Sequence, residues 1–171
     1  FEKALQLEPD FAAAKNNLGR VYSERRQYET AISYFRAALA LDPGHIHASI
    51  NIGLALSELG QHEQALAQLE TCHRAAPGRT EIICGLGKSN FELGRLREAR
   101  QYFRGALALD ADCADAHFGL ANLALLQGNL AAGWVDYESR TRMPRFARHY
   151  NAPEPRWGGE RLDAKTLLVN A

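Results

Sequence analysis

Cysteine is scarce in this chain: Cys72, Cys84 and Cys113 are all it has, an odd number with no Cys-x-x-Cys pair. That excludes a disulfide scaffold and suits a reducing compartment, so a cytoplasmic location is expected. An excess of one charge is lacking too. Twenty basic residues face 20 acidic ones, which argues against nucleic acid or an acidic membrane as a bulk partner. No apolar run reaches the roughly 18–20 residues needed to span a bilayer. No Gly-rich phosphate loop, nucleophile elbow or paired-carboxylate motif is present, so no catalytic residue and no cofactor is expected. His45-x-His47 could share a metal, but no further ligand lies at useful spacing, and surface histidines without a metal site are the expectation. The N-terminus at Phe1 carries no secretion signal and reads as a cut end.

What the chain has in plenty is repetition. Gly19, Gly53 and Gly87 fall 34 residues apart, and Ala121 takes the fourth turn. Leu18, Ile52, Leu86 and Leu120 precede them. Ala31, Ala65 and Ala99 keep the same interval, as do Phe35, Leu69, Phe103 and Tyr137, while Pro9, Pro43 and Pro77 punctuate the units. This period, with Leu18-Gly19-Tyr22, then Ala31-Phe35, then Pro43, resembles the tetratricopeptide repeat. The resemblance implies an all-α fold: a right-handed superhelical α-solenoid of antiparallel helix pairs, with an irregular C-terminal tail. It divides residues 1–142 into a half repeat (1–9), full repeats at about 12–45, 46–79 and 80–113, and a degenerate repeat at 114–142.

Helical spacing of apolar residues predicts helices at about 1–8, 11–25, 28–42, 45–59, 62–76, 79–93, 96–110, 113–127 and 130–142. Glycine inside a helix costs about 1 kcal/mol relative to alanine, so three in register imply that a partner helix approaches closely there. A single hairpin offers too little partner surface for Ile32, Phe35, Ala38 and Leu39, so neighbouring hairpins must stack. Gly60, Gly94 and Gly128 stand where left-handed caps are wanted, and Asp42-Pro43-Gly44 and Ala76-Pro77-Gly78 should end second helices. Cys72 falls in the small-residue column of Ala4, Ala38 and Ala106, so burial is its expected role. His117 takes a column where the family often has tryptophan, which favours packing.

The array is expected to stop in its fourth repeat. Arg140 enters that same small column, where a guanidinium cannot be buried without a partner, and Trp134 and Tyr137 should pack on whatever follows. A basic, Pro-containing linker (143–165) carries Arg145 and Arg148, and residues 166–171 read as the strand that begins a truncated downstream domain. Pro155-Arg156-Trp157-Gly158-Gly159-Glu160-Arg161-Leu162, then Lys165-Thr166-Leu167-Leu168-Val169, is similar to the junction between tetratricopeptide arrays and bacterial glycosyltransferase-like domains. That resemblance implies a possible downstream glycosyltransferase domain.

Stacked hairpins put the first helices on a concave face. The stripe they leave free includes Asn17, Arg20, Ile50, Asn51, Leu54, Lys88, Phe91, Phe118 and Asn122. An amide offers a donor and an acceptor and can clasp a peptide backbone. Asn17 and Asn51, one repeat apart, look like the asparagine ladder of O-GlcNAc transferase, which here fails at Gly85 and Gly119. A carboxylate clamp of the chaperone-adaptor kind is excluded: of its columns only Asn51 matches, and Glu81 would repel the ligand. The leading reading is a scaffold that binds a protein or peptide in its groove, through Asn17, Arg20, Asn51, Leu54, Lys88, Phe91, Phe118 and Asn122. The alternative is the acceptor-recognition arm of a glycosyltransferase, non-catalytic by itself.

Overall fold

A computed structural model describes residues 11–143. Within them run eight α-helices: α1 (Ala12–Glu24), α2 (Tyr28–Leu41), α3 (Ile46–Glu58), α4 (His62–Ala75), α5 (Thr80–Glu92), α6 (Leu96–Leu109), α7 (Ala114–Leu126) and α8 (Leu130–Tyr137). The expected helices from 11–25 to 113–127 are met to within a residue at each end. The last differs. The helix expected over 130–142 stops at Tyr137, and Glu138–Arg142 tightens into a 3-10 turn. The half repeat at 1–9, the linker beyond Met143, the Pro155–Val169 junction and the strand at 166–171 lie outside the described residues.

Local chemistry sets the helix ends. Gly60, Gly94 and Gly128 close the first helices with φ of +75°, +73° and +78°, the left-handed conformation that lacks a steric penalty only for glycine. The first repeat holds Arg26 in that place, at φ +60°. Second helices end on a residue that leaves helical geometry, Asp42, Ala76 or Asp110. Pro43 and Pro77 account for the first two. Asp110 has no proline after it; its carboxylate instead accepts the N–H of Asp112 at 3.0 Å, as Asp42 accepts that of Gly44, an Asx turn that draws the chain out of the helix.

The glycine column has the packing reason expected of it. A Cβ on Gly53 would stand 2.6 Å from Leu69, and one on Gly87 would stand 2.7 Å from the Phe103 ring; Gly19 faces Phe35 in the same way. Each large side chain of a second helix thus lies directly on the backbone of its first helix. No core cluster is confined to one hairpin. One joins Phe35 and Ala38 of α2 to Ile52 and Leu56 of α3, a second joins Leu66, Leu69 and Cys72 to Ile82 and Leu86, and a third joins Phe103 and Ala106 to Ala116 and Leu123. Burying a residue of this size contributes roughly 1.5–3 kcal/mol, so stability resides between repeats as much as within them. Cys72 is buried, as expected.

One expectation needs correction. Ile50 is 2 % exposed and belongs to the core with Leu66 and Ile82, not to the groove. Arg140, whose guanidinium is expected to need a partner if buried, is only partly buried and has partners. Its guanidinium lies 4.3 Å over the Tyr137 ring and donates to the Tyr137 carbonyl and to Glu138. Those partners supply what burial of the charge requires. Tyr137 itself packs on Phe118, with ring centroids 5.2 Å apart, whereas Trp134 is 56 % exposed and touches Tyr137 edge-on. His117 makes one hydrogen bond, its Nε2 lying 2.9 Å from the Ala111 carbonyl, and its Nδ1 approaches the Asp136 carboxylate at 3.6 Å.

Candidate binding groove

Curvature follows from which helices touch. Besides pairing within and between successive hairpins, α1 meets α3, α3 meets α5, and α5 meets α7; among the described residues no two of α2, α4, α6 and α8 come together. The first helices are therefore drawn to one side and form the inner wall. Small polar pairs hold that wall together. Asn51 donates to Asn16 at 3.0 Å between α3 and α1, and Ser89 donates to Ser57 at 3.2 Å between α5 and α3. Lys88 of α5 pairs with Glu58 of α3 at the surface of the same seam.

Two hollows lie on the wall. The larger, about 290 Å³, runs from α3 across α5 to α7. Its floor exists because glycine stands where the first two repeats have asparagine. A Cβ at Gly85 would meet Leu54 and Leu69 at 2.8 Å, and one at Gly119 would run into the Phe103 ring. Side chains missing at these positions leave Phe103 at the base of the hollow, with Phe91 and Phe118 beside it. The smaller hollow, about 210 Å³, lies between α1 and α3 over Phe35.

The residues expected to bind divide between the two. Leu54, Lys88, Phe91, Phe118 and Asn122 line the larger hollow, and Arg20, Asn51 and Leu54 line the smaller. Leu54 joins them. Asn17 lines neither, and the amide of Asn51 is engaged by Asn16, so the two asparagines do not form one open ladder. Sequence reasoning took Gly85 and Gly119 only as gaps in that ladder. The same substitution in two successive repeats, beside an aromatic Phe103, was the available sign of a cavity.

Cys84 also lines the hollow, and its Sγ lies 3.5 Å from that of Cys113, at the start of α7. Burial above all, then the neighbouring Cys113 and Asp115, pushes the Cys84 thiol well above its ordinary range. It is a neutral wall group. No cluster of three potential metal ligands occurs among the described residues. None of the described helices is long and apolar enough to cross a membrane.

Several solved structures share the fold: MamA from Desulfovibrio magneticus RS-1 (22 % identity, 86 % of this chain and 82 % of that one, TM-score 0.64); PilW, a type IV pilus biogenesis factor (25 % identity, 89 % and 69 %, TM-score 0.67); and YrrB, described as a tetratricopeptide-repeat protein with an unusual peptide-binding site (19 % identity, 89 % and 84 %, TM-score 0.62). No curated protein shows significant sequence similarity to the chain. Two models of the tetratricopeptide repeat match residues 10–78 and 84–141. The helix pairs, the 34-residue interval and these matches agree, and the chain belongs to the tetratricopeptide-repeat family.

Proposed function

We propose that this chain is a protein-interaction scaffold that holds a segment of a partner protein along its inner wall. One observation carries the reading: an apolar hollow of about 290 Å³ lies on the concave face, lined by Leu54, Phe91, Phe103 and Phe118. Concave, mostly apolar sites with a few convergent polar groups are where ligands are held. Leu54, Phe91 and Phe118 supply the apolar contact, with Lys88 and Asn122 as polar groups at its edge. Arg20 and Asn51 extend the path toward α1. The peptide-binding site of the similarly folded YrrB supports a peptide as the occupant, and the three free thiols support a reducing compartment such as the cytoplasm.

A second reading rests on the Pro155–Val169 stretch: the array is the acceptor-recognition arm of a glycosyltransferase. It uses the same groove and assigns residues 11–143 no chemistry.

Selection of a phage-displayed random dodecapeptide library on the chain tests the scaffold. Peptides should be enriched that lose at least tenfold in affinity to a Leu54→Ala/Phe91→Ala variant with an unchanged circular dichroism spectrum. Failure to enrich any peptide, or equal binding by the folded variant, would overturn the groove.

A further inference from the structure

The larger hollow combines an aromatic floor with a rim of mostly one sign. Four carboxylates (Glu58, Glu81, Glu92 and Asp115) stand around it against one ammonium, Lys88. Lys88 is committed to Glu58, and Arg79, outside the hollow, holds Glu81 at 2.8 Å. Glu92 forms no ion pair among the described residues. The chain as a whole is neutral, so this concentration of negative charge is local to the groove.

Such a surface discriminates. An incoming carboxylate or phosphate meets like charge. A long cation is complementary at both ends. Arginine and lysine lay their methylene stems along apolar surface while the charged head stays at the polar edge. Aromatic faces attract the cation, and carboxylates bind guanidinium through charge-assisted hydrogen bonds. Resting on the groove reading above, we propose that the hollow takes an arginine- or lysine-bearing segment of a partner protein. Its stem and an apolar neighbour lie over Phe91 and Phe118, and its cation lies toward Glu92 and Asp115. The partner is thus basic and apolar in alternation, not an acidic or phosphorylated tail.

The dodecapeptide selection already described reads this directly. Enriched peptides should carry arginine or lysine beside a large apolar residue, in excess over the starting library. A synthetic copy of the most enriched one should bind the full chain at least tenfold more weakly when its cations are replaced by glutamine. The same loss is expected with a Glu92→Gln/Asp115→Asn variant, and raised salt should weaken binding to the unaltered chain. An enriched pool with no excess of cations, or affinity unchanged by the double variant, overturns the charge assignment while the scaffold stands. No enrichment overturns both. Displacement of the selected peptide at comparable affinity by a synthetic peptide of residues 143–150, which holds Arg145-Phe146-Ala147-Arg148, would assign the hollow to the chain's own segment and overturn a partner.

Discussion

Asn51 donates its side-chain amide to Oδ1 of Asn16, 3.0 Å away across the α1–α3 seam. Asn16 is 7 % exposed, so its carbonyl has little water to turn to. Asn51→Ala should therefore destabilise the array by about 1–3 kcal/mol, the penalty of stranding a buried polar group. Adding Asn16→Ile, which copies Ile50 one repeat on, should recover part of the loss. Urea unfolding of the two single variants and the double variant measures the coupling.

Gly119 and Phe103 offer a sharper test of the glycine logic. Alanine at 119 would drive its Cβ into the ring. Overpacking of that kind costs about 1–3 kcal/mol, and alanine's better helix propensity returns about 1 of it. We expect a net loss in thermal midpoint for Gly119→Ala, and a smaller one when Phe103→Val is already present.

Arg26 occupies the left-handed cap that its three counterparts give to glycine. The conformation costs a residue with a Cβ about 1–2 kcal/mol. Arg26→Gly should therefore stabilise the first repeat, by less than that figure because glycine also loosens the unfolded chain. Gly94→Ala should do the reverse. Hydrogen exchange of α1 and α2 resolves the first effect from global stability.

The thiol of Cys84 supplies a pH dependence. Its folded-state pKa is raised above the ordinary 9.0, chiefly by burial, and burial raises that of Cys72 too. Below pH 9.0 folded and unfolded chains both keep these protons, and stability is complete. Above it the unfolded chain releases protons that the folded chain retains, so stability falls as pH rises. Urea midpoints should drop as pH rises above about 9, and Cys84→Ala should flatten the drop.

Helix ends were legible because each depends on neighbours in sequence: a glycine that can turn left-handed, or a proline after an aspartate. Packing inside a hairpin was legible for a similar reason, since Gly53 and Leu69 keep a fixed interval. Contacts between repeats were not. Ile50 and Leu54 share a helix and a hydropathy, yet one is buried against Leu66 and Ile82 and the other lines a cavity, a difference set by contacts with the next repeat. Cys84 and Cys113, 29 residues apart, meet for the same reason. Absence was hardest to interpret. Gly85 and Gly119 look like lost ligands until Leu69 is seen against the first and Phe103 against the second.

The seams along the inner wall are narrow because asparagine and serine are small. Ser57 and Ser89 touch directly between α3 and α5, while α4 and α6, on the far side, stay apart. Side-chain volume at a handful of such places thus sets how tightly the whole arc bends. Enlarging both serines would wedge the inner helices apart and straighten the arc, changing the width of a cavity whose own lining is untouched.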